Sequence, residues 1–541
     1  MADEIQGNVL GGFNKDHQAV LPLHFGDSPT AIVAARVWLS SVVLPHITWL
    51  PEVVEFKRRR RVHMAAAGVE LQAPQVVWHA IAFSFPGLRK LTGQADAFEP
   101  IFKDGLPAAT HRLGDPQGAG VPGDVHEWKI GAPGHVPDAL AILAGDDPQV
   151  VQNAVDDFLV TARSFGVECP VFDIGHDLAA YSTASAPFPS GHEHFGFKDG
   201  ISQPGIRGRM TASATDFLTP RNMPAPPDPG SSEPEFSAPG QPLVCVGEFV
   251  LGYPRQLDTH GRGADSPWKL GPEPFVPDPT AVAPFWARNG SFLVYRRLRQ
   301  DVPAFNRFLQ DQARELSRFP EFAGLTSEQL GSLLVGRWPS GAPVLRAPVL
   351  DPPAADNPSL GRTDGANNGF GFNGPEADPH DGFSPAIADP FGRVCPQAAH
   401  IRKVNPRNLN TDQGALTATL VRRILRRGIP FGAPLAFGAT EDPSGQERGL
   451  LFLAYMASIR DQFEFLTASW MNSSSKPTPQ LPPTNSGFDM LVGQASGERF
   501  CLLGRQAARV SSTGRWVIPT GGGYFFAPSR AAIRDVIAVG P

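Results

Sequence analysis

Strand-like and helix-like segments alternate in the same order in both halves of the chain. They predict an α+β fold of two tandem ferredoxin-like units, and three observations carry the prediction. Short runs rich in β-branched and aromatic residues precede longer stretches whose apolar residues recur at helical spacing. The order strand–helix–strand, strand–helix–strand in the first half returns, with insertions, after residue 290. Two stretches crowded with Pro, Gly, Ser and Asp, 211–242 and 340–385, punctuate the pattern.

The first predicted strand spans 17–25, and a helix follows over 31–50. That segment is apolar enough to be weighed as a membrane span, but Arg36, Pro45 and His46 interrupt it, so it is assigned to a core-facing helix. Residues 76–85 form a strand that ends at Pro86-Gly87. Another apolar run, 139–144, leads through Asp146-Asp147-Pro148, an acidic helix start, into helical spacing over 150–162. In the second half 291–297 is a strand, and Asp301-Val302-Pro303 opens a helix through Phe305, Phe308 and Leu309. Residues 449–455 read as a buried strand and 522–527 as a late one. The chain thus divides into an N-terminal unit, 1–210, a linker, 211–242, and a C-terminal unit, 243–541. The insertion near 340–385 is too long for a bare connection, a length typical of lids and binding loops.

A length of 541 residues fits at least two domains. With 41% apolar and 18% charged residues the composition is that of an ordinary globular enzyme, and 56 glycines with 56 prolines call for long ordered loops. A net charge of −6 gives no general attraction to nucleic acid or to an anionic membrane, so neither is expected as a partner. The basic run Lys57-Arg58-Arg59-Arg60-Arg61 reads as a solvated face. Cys169, Cys245, Cys395 and Cys501 are far apart and form no Cys-x-x-Cys, which argues for free thiols and against a zinc or iron–sulfur centre. The acidic start, Met1-Ala2-Asp3-Glu4-Ile5, lacks the apolar core of a signal peptide. The cytoplasm is therefore expected, with secretion of a processed form left open.

Two strings carry chemistry. Glu193-His194-Phe195-Gly196-Phe197-Lys198-Asp199-Gly200-Ile201-Ser202-Gln203-Pro204 puts a single carboxylate, Asp199, on a glycine-flanked turn where the backbone can take positive φ and a flat ligand can approach. An aspartate beside glycine is also a common Asx-turn residue. About two hundred residues later, Cys395-Pro396-Gln397-Ala398-Ala399-His400-Ile401-Arg402-Lys403-Val404-Asn405-Pro406-Arg407 sets one histidine among small residues and cations. His192 and His194 rival His400 as a metal ligand, though no third ligand accompanies them. Residues 364–369 faintly suggest a calcium loop, but Ala366 replaces a ligand and the closing glutamate is missing.

With Gly336-Arg337-Trp338-Pro339-Ser340-Gly341, Arg426-Arg427-Gly428-Ile429-Pro430, Gly449-Leu450-Leu451-Phe452 and Pro519-Thr520-Gly521-Gly522-Gly523, the two strings form an ordered set that resembles the dye-decolorising peroxidase family over nearly the whole chain. Gly-x-x-Asp-Gly alone is a weak signal; the ordered set is specific. The resemblance implies two ferredoxin-like domains with antiparallel sheets, of the dimeric α+β barrel type, with haem b held mainly by the second. It implies His400 as axial ligand of the haem iron, Asp199 as the distal acid–base group and Arg426, two residues ahead of Gly428, as the distal arginine. Arg422, Arg423 and Arg427 compete for that last role by residue type alone. Gly200, Ile201 and Ser202, with Asn405, Pro406 and Arg407, would line the haem, an arginine pairing with a propionate; Leu450 and Phe452 would form the distal wall. Asp489, in Gly487-Phe488-Asp489, would accept the hydrogen bond of His400. Trp470 would relay electrons from donors too large for the pocket, and Phe431 replaces the tyrosine of many relatives after Ile-Pro. The function so implied is a haem peroxidase that reduces hydrogen peroxide and oxidises organic donors such as dyes and phenolics. A haem-binding or iron-release protein with little turnover, or a haem-free binding protein on the same fold, is the alternative. Homo-oligomerisation is left open.

Overall fold

The computed structural model describes residues 2–67, 76–93, 97–183, 187–207, 236–237, 241–253, 255, 282–352, 360–374, 388–414, 419–477 and 485–540. Most of the expected linker 211–242 and part of the 340–385 insertion lie outside the described residues. Ten strands form one sheet: β1 (His17–Phe25), β2 (Trp78–Phe83), β3 (Ala139–Gly145), β4 (Val167–Glu168), β5 (Asp173–His176), β6 (Ser291–Gln300), β7 (Leu425–Arg426), β8 (Ile429–Phe431), β9 (Gly449–Met456) and β10 (Val517–Ala527).

In the first half the order is β5-β1-β3-β2 and in the second β8-β9-β6-β10, antiparallel throughout. Each half therefore sets its last strand beside its first and its third between the first and second, which is the ferredoxin-like order expected from sequence. β7 continues the line of β8 along β9. The halves join at two thin seams, Phe431 opposite Gly175 and Phe526 opposite Phe83, and the ring of strands closes. Closure removes the free edges that two separate sheets would expose.

Local chemistry explains the helices that flank this ring. α1 (Pro29–Trp38) starts where the Ser28 hydroxyl accepts the Ala31 amide (3.1 Å), with Pro29 in its first turn. α2 (Pro148–Ser164) starts at Asp147, which accepts the amides of Gln149 (2.8 Å) and Val150 (3.0 Å). α3 (Val302–Leu316) starts at Asp301, which accepts the Ala304 amide (3.1 Å). The single helix expected over 31–50 is broken instead: α1 stops at Trp38, a π turn covers Leu39–Val43, and a short helix with Pro45 ends at His46.

Alternation along β9 positions the site. Leu451, Leu453 and Tyr455 point into the barrel with Leu293, Tyr295, Ile142 and Phe525. Leu450 and Phe452 face outward and remain half-buried. Beyond them lie α3, α4 (Ser327–Val335), α5 (His400–Val404) and a π-type helix, Ile459–Met471, which packs against α5.

The contact of β9 with β6 is too close for a side chain at Gly449, where a Cβ would lie 1.9 Å from the Leu298 carbonyl oxygen. Gly449→Ala is expected to cost about 1–3 kcal/mol by forcing these strands apart. A urea midpoint equal to that of the parent chain would show that this pairing tolerates the displacement.

Candidate functional site

The turn that bears Asp199 is built from main-chain hydrogen bonds within and around residues 191–200. The Asp199 amide donates to Gly191 (2.9 Å) and the Lys198 amide to Pro339 (3.2 Å). Gly196 (φ +93°) and Gly200 (φ +76°) take the left-handed conformation that the sequence required there. The result leaves the Asp199 side chain 42% open.

The cation that meets Asp199 comes from the other half of the chain. Arg426 Nη1 donates to Asp199 Oδ1 in a short ion pair. Gln203 clasps the Arg426 main chain on both sides, accepting its amide (3.2 Å) and donating to its carbonyl (3.0 Å). Arg427, the neighbouring rival, turns away and donates to the carbonyls of Asn8, Val9 and Leu10. Arg422 donates to Asp461 O and Gln413. Burial alone would raise the Asp199 carboxyl, but the charge and hydrogen bond of Arg426, the Gly200 amide and the charge of His400 together hold it below its ordinary value. His400 is thus within electrostatic reach of the acid.

His400 opens α5. Its Nδ1 meets Asp489 Oδ2 at 2.8 Å, and its side chain remains 26% open. Asp489 is fully buried and also accepts the amides of Leu491 (3.0 Å) and Val492 (3.1 Å). Burial opposes its ionised form, yet His400 and these two amides bring its pKa below the ordinary value. With Nδ1 engaged by Asp489, Nε2 is the ring nitrogen left to face the site. So short a helix is pinned by two buried cations. Arg402 donates to the carbonyls of Asp389, Pro390 and Cys395; Lys403, pushed down to about 8 by burial, donates to Ser473 and Lys476. The rival histidines are engaged elsewhere: His192 with the Ser190 and Pro339 carbonyls, His194 Nε2 with Phe431 O.

Comparison with known proteins fits this geometry. Residues 4–165 match the DyP dimeric alpha+beta barrel domain, and residues 280–481 match the Dyp-type peroxidase C-terminal domain. A dye-decolorizing peroxidase of Mycetinis scorodonius is 30% identical, over 99% of this chain and 87% of the relative. The chain belongs to the DyP-type peroxidase family. The multifunctional dye peroxidase DyP2 of an Amycolatopsis species is 28% identical, over 99% of this chain and 96% of the relative. Among solved structures, an ancestral D-type dye decolorizing peroxidase superposes with a TM-score of 0.72 at 30% identity, and a fungal DyP-type peroxidase from Auricularia auricula-judae with 0.70 at 26%, each covering 99% of both chains. The protein is accordingly an enzyme of the peroxidase class on the α+β barrel fold. No helix among its described residues is long and apolar enough to cross a membrane.

In this peroxidase the two strings are tied by a polar network that sequence reasoning missed. The Ser202 hydroxyl donates to Asn368 Oδ1 (3.0 Å) and accepts from Arg337 Nη2 (3.0 Å). Arg407 Nη2 donates to the same Asn368 oxygen (2.7 Å), and its Nη1 to the carbonyls of Asn368 and Phe370. The Arg407 guanidinium, expected among the haem-lining groups, is therefore directed into the 368–370 loop and stacks 3.8 Å from the Phe370 ring centre. Asn405 accepts the Arg407 amide (3.3 Å), Pro406 is buried, and Ile201 is buried beside Gly341. Gln203, Arg337 and Asn368 were the missed partners. Gln203 and Arg337 stood inside the quoted strings, and Asn368 stood in the segment weighed as a calcium loop. Trp470, the expected relay, is fully buried; its Nε1 donates to Asp412 (3.0 Å), and its ring meets Phe465 edge-on. Phe431 lies buried under the Arg297 guanidinium (4.3 Å).

Arg337 and Arg407 are both buried and linked through Ser202 and Asn368, so their contributions should not add. Arg337→Met and Arg407→Met are each expected to cost about 3 kcal/mol, from charged hydrogen bonds lost to buried carbonyls. The double variant should fall short of the sum by about 1 kcal/mol. Urea unfolding of the four proteins measures this, and strict additivity would mean that the network is two independent anchors.

Proposed function

We propose that the protein is a haem b peroxidase in which His400 ligates the iron, Asp199 moves the proton and Arg426 stabilises negative charge on the peroxide. The observation that carries this reading is the meeting of Asp199 and Arg426, from different halves of the chain, within electrostatic reach of a histidine whose Nδ1 is already taken. The residues present fit the group. One protein ligand suffices only for an iron whose in-plane ligands come with it. The side chains left partly open, His400, Asp199, Arg426, Leu450 and Phe452, are those a flat macrocycle would touch. We assign Gly200, Ile201, Ser202, Asn405 and Pro406 to its surroundings. Arg407 is assigned to holding the loop that borders it.

Haem, when bound, supplies the two-electron reduction of peroxide and the one-electron oxidation of organic donors, for which we propose dyes and phenolics. The chain's own residues do the rest. Asp199, ionised at rest, accepts the proton of one peroxide oxygen on its carboxylate and returns it to the departing oxygen. Its pairing with Arg426 makes it a weak base until peroxide arrives. Once the guanidinium shares its hydrogen bonds with the peroxide anion, the carboxylate becomes more basic at the moment it is needed. Asp489 fixes the His400 ring and strengthens its donor nitrogen. Four free cysteines, three of them buried, support the cytoplasm as the proposed compartment. We retain the division into units at 211–242.

An absorption spectrum before and after addition of peroxide tests the reading directly. His400→Ala should lose most of its haem, measured per chain after purification. If His400→Ala keeps full haem with a histidine-ligated spectrum, the assignment fails. Asp199→Asn should keep haem and slow the peroxide step by about 10²–10⁴-fold in stopped flow. Because the folded-state pKa of Asp199 is depressed, the acid limb of that step in the parent enzyme should lie below the ordinary value of 3.8.

For Trp470 we propose an interior relay. Its helix packs against α5, and Asp412, which its indole reaches, also pairs with half-exposed Lys476 (3.2 Å). Trp470→Phe should lower turnover of a large anthraquinone dye more than that of a small phenol, with the peroxide step unchanged. Equal loss on both donors would identify it as core packing.

A further inference from the structure

The distal hairpin holds a second carboxylate that the mechanism above does not use. Glu193 sits six residues before Asp199, and its side chain folds back inside the turn. Oε2 accepts the Phe195 amide (2.9 Å) and Oε1 the Phe197 amide (3.0 Å). Its own amide donates to Phe197 O (3.1 Å), and its carbonyl accepts the Gly196 amide (2.9 Å). One residue thus satisfies three of the amides between 194 and 198, and among the described residues no main-chain acceptor serves Phe195 or Phe197. From the barrel, Gln300 at the end of β6 donates Nε2 to Glu193 Oε2 (2.5 Å), while Gln300 Oε1 is buried without a partner. The rings of Phe195 and Phe197 are buried in the cluster around Phe305 and Leu309.

We propose that Glu193 is a positioning residue for Asp199: its ionised carboxylate clamps the turn to β6, and protonation releases one amide and loosens the placement of the acid. The proposal rests on the reading of Asp199 as the proton-transfer group. A neutral carboxyl keeps fewer acceptor sites, and its hydroxyl can donate to Gln300 Oε1 once that amide rotates. Protonation therefore exchanges a hydrogen bond to the Phe195 amide for one to the barrel.

The surroundings put this exchange near neutrality. The small cavity beside Glu193 is walled by uncharged residues, among them Leu178, Phe188, Val302, Asn306, Leu435 and Phe437. The titratable and charged groups about the hairpin are His192, His194, Lys198 and Asp199 on it, Asp177 after β5, which acts on His192, and Arg448 ahead of β9, which acts on His194. Burial lowers both histidines, His194 to about 4, so neither supplies a cation. Among the described residues no cation pairs with Glu193. Burial pushes Glu193 up to about 7; the Phe195 and Phe197 amides and Gln300 oppose the rise, and the Asp199 charge adds to it. With the folded value above the unfolded one, the protonated form is favoured by folding. The global stability that this group contributes is therefore lost as pH rises through the folded value, whereas within the folded protein the two amides and Gln300 favour the ionised form, so the clamped hairpin gains over a loosened one whose carboxyl stays buried.

The test is hydrogen exchange by mass spectrometry over residues 193–199 of the purified holoprotein, from about pH 6 to 8, with the matching free peptide to remove intrinsic pH dependence. Parent protection of this segment should rise about tenfold across the window, the worth of one charged hydrogen bond. Glu193→Gln should remain flat at the low-protection level, and its peroxide step should lose the neutral inflection that the parent shows. Gln300→Leu removes one stabilising donor, so its inflection should move to higher pH; this variant carries the test if Glu193→Gln does not fold. Asp199→Asn should keep the inflection, moved to lower pH. An inflection that survives in Glu193→Gln, disappears in Asp199→Asn or ignores Gln300→Leu overturns the proposal. If the inflection behaves as expected while Asp199→Asn leaves the peroxide rate unchanged, the reading of Asp199 fails and the clamp itself stands.

Discussion

The ion pair of Asp199 with Arg426 is the contact on which the candidate site depends, because it brings the two halves of the chain together there, as Arg296 with Asp115 and Arg297 with Asp173 do elsewhere on the barrel. The first half delivers a carboxylate on a glycine-bounded turn, and the second delivers a guanidinium at the end of a two-residue strand. Neither position would hold alone. β7 is fixed by pairing with β9 and by the double clasp of Gln203, and β9 is fixed by β6 along its whole length. The closed ring of strands is what brings residues 227 positions apart to one hydrogen bond.

The same closure explains how ionised groups persist so deep in the molecule. A buried carboxylate is unfavourable unless charge and donors around it repay the lost hydration. Asp199 and Asp489 both meet that condition, each with one cationic or polarisable side-chain partner and main-chain amides from its own loop. Both therefore sit below their ordinary pKa in spite of burial. Glu193 has amides and one neutral amide side chain but no cation, and it sits above. The three carboxylates are thus separated by the side chain that faces each: Arg426 for Asp199, His400 for Asp489 and the neutral amide of Gln300 for Glu193. Such separation allows one to serve as a base while another stays near its titration point at neutral pH.

Much of this was legible in the sequence. The alternating runs located three strands of each half and missed the short β5, β7 and β8, and caps such as Asp147 and Asp301 marked helix starts correctly. Resemblance to the family motif ahead of Gly428 pointed to Arg426 among four neighbouring arginines, and it is Arg426 that meets Asp199. A Cβ at Gly428 would lie 2.7 Å from Leu451 O, so the chain runs close to β9 there, and Arg426 and Arg427, as successive residues along it, point to different sides. Barrel closure came only with the family resemblance and not from the residue pattern, because each seam rests on a single residue pair, Phe431 with Gly175 and Phe526 with Phe83, and one pair leaves no periodic trace. Gln203, Arg337, Asn368 and Glu193 were also out of reach. A buried polar residue with a distant partner is indistinguishable, in one sequence, from a solvated one.

Arg407 and Trp470 show where residue type misleads about position. A cation after the histidine string invites pairing with a carboxylate of the ligand, yet Arg407 is 2% exposed and its donors meet the 368–370 loop. It borders the site by shaping that loop, as Arg402 and Lys403 do by pinning α5. Trp470 invites a surface role, yet its ring is enclosed and only its nitrogen reaches toward solvent, through Asp412. An oxidised indole becomes a strong acid at that nitrogen, and a carboxylate 3.0 Å away is placed to receive the proton. Burial therefore does not argue against electron transfer at Trp470. It restricts the direct contact of a bulky donor and leaves the hydrogen bond to Asp412 as the feature that separates a relay from packing.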